Sequence, residues 1–196
     1  MAEALAPVHG VTGLVLAGGE GRRMGGADKG LLVHHGQPLV NHAIARLKPQ
    51  VETIIVSANR NLDVYAALGH RVVRDTVADV TRSAGPLAGW LAGLQACDTD
   101  WLVSVPCDAP DLPGDLVARL HDAALAAAAS AVYATTTDGP HPTFALLQRS
   151  LAPELERFLE QGGRRIRDWL SAVDAVPIPF AEESAFANLN HPDDLR

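Results

Sequence analysis

Short apolar runs alternate with longer amphipathic stretches along most of the chain. The apolar runs cover residues 11–16, 53–57, 71–73, 101–105 and 131–134. The first of them ends at Ala17-Gly18-Gly19, which is typical of a buried strand that enters a loop. The stretches between the runs predict helices over residues 38–47, 62–68, 86–96 and 113–129.

Strands that alternate with helices predict an α/β fold, here a Rossmann-like three-layer α/β/α sandwich with a mostly parallel sheet. Pro38, Pro86 and Pro113 stand at helix starts, where proline is tolerated. Ligands of such sheets bind beside the carboxyl ends of the strands. We therefore expect the functional residues to follow the apolar runs directly.

The C-terminal part of the chain is less regular. Residues 143–147 predict another strand, and residues 151–160 and 166–172 predict helices separated by Gly162-Gly163. Residues 176–180 contain two prolines and predict an edge strand. A length of 196 residues suits one domain, so we predict a single domain over residues 11–196 and a loose leader over residues 1–10.

The composition is that of a globular protein, with 47% hydrophobic and 20% charged residues. No apolar run approaches the roughly 18 residues that span a bilayer, and the first ten residues lack the Lys and Arg of a signal peptide. Two cysteines are too few for a disulfide framework. These features favour the cytoplasm and no membrane partner.

The net charge of −7 argues against a nucleic-acid partner. The segment 21–30 differs from the rest, because it carries Arg22, Arg23 and Lys29 against one acid, Asp28. A basic, glycine-rich segment in an acidic protein predicts a focused phosphate site.

The loop over residues 16–30 holds six glycines directly after the first strand. Glycines let backbone N–H groups approach an anion, and Arg and Lys add charge-assisted hydrogen bonds. The loop is not a P-loop, because no Lys-Ser or Lys-Thr follows its glycines, and it is not a dinucleotide loop, because Met24 stands where a third glycine is needed. The alternative is a plain surface loop.

Asp108 follows the strand over residues 101–105 within Pro106-Cys107-Asp108-Ala109-Pro110. Magnesium takes few protein ligands and fills its shell with water and phosphates, so one aspartate at a strand end fits a metal site. A turn aspartate is the alternative. Cys107 has no base beside it in the sequence and is predicted to be a buried thiol.

Two polar residues, Asn59 and Asp75, follow neighbouring apolar runs. An aspartate can accept two hydrogen bonds from one ligand, and an asparagine offers both a donor and an acceptor. Either residue could instead cap a turn. The basic cluster with Arg164 and Arg165 could hold a second phosphate or be a solvated helix face, and Asn188 to Asn190 precede a helix start at Pro192.

The loop 16–30, the turn Gly85 to Gly89, the stretch around Asp108 and Asn188 to Asn190 closely resemble the molybdenum cofactor guanylyltransferases. These are nucleotidyltransferases of the nucleotide-sugar pyrophosphorylase type. The resemblance spans nearly the whole chain and implies a site for GTP and Mg²⁺. It implies the catalytic role for Arg22, Lys29 and Asp108, metal binding for Asp108, and nucleotide binding for Leu16, Ala17, Gly18, Lys29, Asn59, Asp75 and Asp108. It also implies acceptor binding for Asn188 and Asn190, and the charge of Arg164 and Arg165 makes them further candidates for the acceptor phosphate.

The implied reaction transfers GMP from GTP to the terminal phosphate of molybdopterin and releases pyrophosphate. The resemblance also suggests cofactor-synthesis proteins and client molybdoenzymes as further partners. One alternative is a cytidylyltransferase or a sugar-phosphate nucleotidyltransferase of the same fold. Another is a non-catalytic GTP-binding adaptor that delivers the cofactor, which would need no metal ligand, so Asp108 argues against it.

Overall fold

A computed structural model of the protein describes residues 6–18, 27–75, 85–189 and 192–195. Within these residues the chain forms strands in two sheets. The strands are β1 (Val11–Leu16), β2 (Val33–His34), β3 (Gln37–Pro38), β4 (Thr53–Ser57), β5 (Arg71–Val73), β6 (Trp101–Pro106), β7 (Ala131–Thr136), β8 (Gly139–Gln148) and β9 (Val176–Pro179). Strands β2 and β3 pair as a small hairpin, and the other strands form the central sheet.

The central sheet has the order β5-β4-β1-β6-β8-β7-β9. β1 lies in its middle and pairs in parallel with β4 and β6, so that Leu14 stands beside both Ile55 and Ser104. β8 runs antiparallel to both of its neighbours, and the other described pairings of this sheet are parallel. The sheet is therefore mostly parallel, as its continuous apolar strands predict.

The helices are α1 (Leu39–Leu47), α2 (Leu62–Ala66), α3 (Pro86–Ala96), α4 (Leu116–Ala126), α5 (Ala152–Glu160) and α6 (Ile166–Ala172). Two hydrophobic clusters separate them into layers. Val11 and Val15 of β1 join α1, α2 and α4 on one face, while Leu14 joins α3, α5 and α6 on the other. Alternate side chains of a strand point to opposite faces, and the result confirms the predicted α/β/α sandwich.

Most predicted elements are confirmed with small changes at their ends. The predicted helix over residues 113–129 is shorter: it starts after Asp115, which stands at the N-cap position without a side-chain capping bond, and Ala128 beyond its end adopts a positive φ of 49°. The strand predicted over residues 143–147 extends back to Gly139. The tight connection from Thr136 to Gly139 joins β7 to β8 and makes the pair antiparallel.

The described part of the proposed leader is attached to the domain. Val8 N–H donates to the Gln50 carbonyl over 3.0 Å, and Gly10 N–H donates to the Glu52 carboxylate over 2.8 Å. The Gly10 carbonyl accepts from Trp101 N–H over 3.0 Å. Within the part of the leader that the structure describes, residues 8 and 10 are therefore bonded to the domain. Among the described residues, no helix has the length and apolar character needed to cross a membrane.

Candidate active site

The carboxyl ends of β1, β4 and β6 meet at one edge of the sheet. Ala17 N–H donates to the Ser57 carbonyl over 2.8 Å, which ties the end of β1 to the end of β4. Cys107 N–H donates to the Leu16 carbonyl over 3.1 Å, which connects the end of β1 to the end of β6. The residues that follow these three strands are therefore neighbours, as parallel pairing predicts.

Two glycines allow close packing around the end of β1. A Cβ atom on Gly18 would lie 3.0 Å from Asn59 Nδ2, and one on Gly89 would lie 2.7 Å from Leu16 Cδ2 and 2.8 Å from Ser57 Oγ. Only glycine permits these approaches without displacing a neighbour. The predicted nucleotide-binding residues Leu16 and Gly18 thus lie next to Asn59 and to the start of α3.

Lys29 and Asp108 form an ion pair at this edge. Lys29 opens a short 3-10 turn, Lys29–Leu31, and its Nζ donates to Asp108 Oδ2. The two side chains are only 17% and 11% exposed. The fold therefore brings the predicted phosphate-binding lysine and the predicted metal ligand into contact, and the lysine balances a nearly buried carboxylate.

The C-terminal segment reaches the same place. Leu189 N–H donates to the Asp108 carbonyl over 2.9 Å. This bond brings Asn188, which is exposed, into the neighbourhood of Asp108. Asn190 lies outside the described residues, as do Arg22 and the rest of residues 19–26. Their predicted roles stay predictions.

Asn59 and Asp75 bind each other at the ends of β4 and β5. Asn59 Nδ2 donates to Asp75 Oδ2 over 2.8 Å, and Asp75 N–H donates to Asn59 Oδ1 over 3.1 Å. Burial raises the pKa of the Asp75 carboxyl, and the Asn59 hydrogen bond partly opposes this shift. The two predicted base-side residues therefore form one unit beside Gly18.

A further group beside the site was missed by the sequence analysis. The Asp28 carboxylate accepts from the Tyr65 hydroxyl over 2.6 Å and from Asn61 Nδ2 over 2.9 Å. The only hint in the sequence that Asp28 belongs to the site was its position in the basic loop, directly before Lys29. Tyr65 sits on an amphipathic helix, where nothing in the local sequence distinguishes it from a core residue.

The basic cluster has at least one structural role. Arg164 Nη1 donates to the carbonyl groups of Leu159 and Gly163, so it closes the C-terminal end of α5. Arg165 is exposed and precedes α6. The acceptor role of both arginines stays a prediction.

The Asp108 carboxylate is the candidate ligand for a cation. No group of three or more His, Cys, Asp or Glu side chains that could hold a metal ion occurs in the described ranges. Asp108 supplies a carboxylate at the end of β6, which suits a cation that completes its shell with water and substrate oxygens. Cys107 is buried, and burial foremost raises the pKa of its thiol, which disfavours the thiolate that a nucleophile requires.

The chain is similar to the proteins of one family over nearly its whole length. Residues 13–176 match the model of the MobA-like NTP transferase domain. A molybdenum cofactor guanylyltransferase of Ralstonia nicotianae is 45% identical over 200 residues, which cover 97% of this chain and 96% of that protein.

Two solved structures share the fold. The molybdopterin-guanine dinucleotide biosynthesis protein A of Archaeoglobus fulgidus has a TM-score of 0.76 at 26% identity, with 94% of each chain covered. A Mycobacterium tuberculosis protein in complex with manganese has a TM-score of 0.67 at 18% identity, with 97% of this chain and 96% of that chain covered. Because the family model and the Ralstonia relative both span most of the sequence, the chain belongs to the family of MobA-like NTP transferase domains.

Proposed function

We propose that this nucleotidyltransferase transfers GMP from GTP to the terminal phosphate of molybdopterin and releases pyrophosphate. The product is the guanine dinucleotide form of the cofactor. The observation that carries the proposal is the Lys29–Asp108 pair at the carboxyl edge of the sheet. The relative named a molybdenum cofactor guanylyltransferase, which matches almost end to end, supports the choice of base and acceptor.

Lys29 is the residue proposed to hold the β- and γ-phosphates. Its ammonium donates to Asp108. Phosphate oxygens are stronger competitors for this donor, because they bring more negative charge to the same place. We propose that Arg22 acts with Lys29 on these phosphates. The backbone of Leu16, Ala17 and Gly18 would contact the nucleotide beside them.

The cation of the reaction is proposed to be Mg²⁺, held by Asp108. The Asp108 carboxylate suits a cation, because it already pairs with the positive ammonium group of Lys29. This pair lies at the edge of the sheet where the phosphates of GTP would lie. When bound, Mg²⁺ supplies positive charge to the phosphates and to the departing pyrophosphate. Lys29 would then turn from Asp108 to the phosphates.

The reaction requires the protein to align the two substrates, and it requires no proton transfer by a side chain. An oxygen of the acceptor phosphate forms a bond to the α-phosphorus of GTP, and the bond from that phosphorus to the bridging oxygen of pyrophosphate breaks. The attacking phosphate is already ionised at neutral pH, so no general base is needed. Positive residues offset the repulsion between the two anions and hold them in line.

The base and the acceptor are proposed to lie on opposite sides of the Lys29–Asp108 pair. Asp75, oriented by Asn59, would accept from N1–H and the amino group of guanine. Asn188, close to Asp108 through the Leu189 hydrogen bond, would meet the acceptor with Asn190, Arg164 and Arg165.

The test is pyrophosphate release by the purified protein with magnesium, molybdopterin and one nucleotide at a time. We expect release with GTP that exceeds release with CTP or ATP, and none when molybdopterin is omitted. Preference for CTP would replace the guanylyl assignment with the cytidylyl one. Tight GTP binding with no pyrophosphate release in the full mixture would favour the delivery adaptor.

A further inference from the structure

The loop between β4 and α2 contacts both halves of the nucleotide site. Asn59 in this loop binds Asp75 on the base side. Two residues later, Asn61 donates to the carboxylate of Asp28, the residue directly before Lys29. One short loop thus connects the residues proposed to read the base with the residue proposed to hold the phosphates.

The Asp28 carboxylate is held at both oxygens. The Tyr65 hydroxyl donates to Oδ1 over 2.6 Å, and Asn61 Nδ2 donates to Oδ2 over 2.9 Å. Tyr65 is completely buried. Burial and the bond to Asp28 raise the pKa of its hydroxyl, so the hydroxyl keeps its proton and remains a donor throughout the neutral range.

Holding Asp28 also holds the turn that carries Lys29. The Asp28 carbonyl accepts from Leu31 N–H over 3.1 Å and so begins the 3-10 turn. Gly30 lies directly on Tyr65, because a Cβ atom there would be 2.5 Å from the hydroxyl oxygen. Tyr65 therefore holds Asp28, which begins the turn, and it also fixes the distance between the turn and α2.

The backbone of Asn61 is unusual in the same place. Its φ of 49° lies in the left-handed region, which few residues other than glycine adopt and which asparagine tolerates best. An uncommon conformation that persists beside a proposed site points to a functional constraint. Here the constraint is the hydrogen bond from the Asn61 amide to Asp28.

We propose that Tyr65 and Asn61 are positioning residues for Lys29, and that they act through Asp28. The loop over residues 58–61 links the placement of the base to the placement of the phosphates. The inference rests on the proposed function, because it takes Lys29 to be the ligand of the triphosphate. Neither residue is expected to touch the reacting atoms.

The test is a double-mutant cycle in the pyrophosphate-release assay. We expect Tyr65→Phe to lower kcat/KM about tenfold, as loss of one hydrogen bond to a charged group does. In the Lys29→Ala background the same change should have almost no effect, because the residue to be positioned is gone. Tyr133→Phe removes the hydroxyl of the other tyrosine in the chain and is the matched control, which should keep normal turnover.

A second variant tests the same inference without substituting the buried tyrosine, whose replacement could disturb folding. Asn61→Gly removes the amide donor and keeps access to the left-handed conformation. It should also lower kcat/KM in the wild type and not in the Lys29→Ala background. If the effects of Tyr65→Phe and Asn61→Gly multiply fully with that of Lys29→Ala, the two residues act independently of the lysine and the inference is overturned.

A measurement that needs no nucleotide tests this inference independently of the proposed function. Crystal structures of ligand-free wild-type, Tyr65→Phe and Asn61→Gly proteins should show the Lys29–Asp108 contact in the wild type and its loss in both variants. Retention of the contact in both variants would contradict positioning. Failure of wild-type protein to release pyrophosphate from GTP would instead contradict the proposed function and leave this structural comparison valid.

Discussion

Asp108 and Lys29 are unequal members of their ion pair. The carboxylate ends a short side chain on a residue that is only 8% exposed, whereas the ammonium ends a flexible chain of four carbons. Removing Lys29 leaves a nearly buried negative charge without this partner, which is costly. Removing the charge of Asp108 lets the lysine turn towards solvent. The two losses should therefore differ in stability as well as in activity.

We expect Asp108→Asn to lower magnesium-dependent pyrophosphate release at least about a hundredfold, or about 2.7 kcal/mol in the barrier. The amide keeps the side-chain shape but is a poor ligand for Mg²⁺ and offsets no positive charge. Thermal unfolding should change little. Asp111→Asn is the matched control, because Asp111 lies in the same loop with a side chain that is 75% exposed. Near-normal turnover by folded Asp108→Asn protein would place the metal ligand elsewhere.

Lys29→Ala is expected to weaken GTP binding by about 1.5–3 kcal/mol, the range for a hydrogen bond to a charged group. GMP binding should suffer less, because GMP lacks the β- and γ-phosphates. Calorimetry with both nucleotides measures the difference. Lys48→Ala, at an exposed lysine, should change neither affinity. Equal losses for GTP and GMP would show that Lys29 only orders its own loop.

Asp75 allows a test of base recognition that spares the fold. Its pKa is higher in the folded than in the unfolded protein, so the folded state binds this proton more tightly. The stability that this provides is present at low pH and is lost as the pH rises through the raised pKa. Above that pKa the charged carboxyl therefore disfavours folding. Asp75→Asn should unfold at the wild-type temperature or slightly above it.

The same variant should lose the preference for GTP. We expect wild type to favour GTP over ATP at least about tenfold, or roughly 1.4 kcal/mol, because adenine N1 would leave a half-buried acceptor unpaired. The side-chain amide of the variant has a single acceptor oxygen and cannot accept both guanine donors as the carboxylate does. Nucleotide competition in the pyrophosphate assay is the measurement, with the exposed Asp63→Asn as control. A preference that survives in Asp75→Asn would assign base reading to backbone groups.

Two elements meet closely where the Lys29–Leu31 turn lies on α2. Gly30 leaves room for Tyr65. A Cβ atom added to Gly30 would also lie 3.3 Å from the Cβ of Ala17. The turn, the end of β1 and α2 are therefore packed as one unit. A change of one methyl group in this unit should move the turn that carries Lys29.

Gly30→Ala is accordingly expected to destabilise the protein by about 1–3 kcal/mol, as overpacking does, and to lower kcat/KM. Adding Tyr65→Phe removes the atom with which the new methyl collides, so the double variant should be less impaired than the product of the single effects. Gly114→Ala is the control, because a Cβ there has no neighbour within 4 Å. Wild-type melting of Gly30→Ala would contradict this packing.

At the scale of the whole molecule, the site depends on the order of the strands. β1 lies between β4 and β6, so the loops after all three strands open at one edge. Residues from distant parts of the chain meet there, as Lys29 and Asp108 do. A ligand that contacts several of these loops binds only the folded chain and therefore stabilises it by mass action.

GTP with magnesium at about 100 times its Kd should add about 2.7 kcal/mol to the free energy of unfolding. For a chain of this size that corresponds to a rise of about 5–10 °C in Tm. CTP at the same concentration should give a smaller rise, and chelation of magnesium should reduce the rise with GTP. A larger shift with CTP would argue against guanine recognition.

The sequence by itself determined the elements and the residue types that form the candidate site. Apolar runs and helical periodicity are local properties, so the strand β1 and the helices α3 and α6 follow from short windows of sequence. The glycine-rich basic loop and the carboxylate at the end of β6 are local as well. Their presence after strands was enough to predict a phosphate site and a metal ligand at one edge of a parallel sheet.

Only the tertiary structure decided which of these residues touch each other. The contact of Lys29 with Asp108 joins residues 79 positions apart, and that of Tyr65 with Asp28 joins residues 37 positions apart. Such pairs depend on strand order and on helix packing, which no short window contains. The same reason explains why a tyrosine on an amphipathic helix looked like an ordinary core residue. It also explains why the sequence, which left the basic cluster as either a phosphate site or a solvated helix face, did not show that Arg164 closes α5.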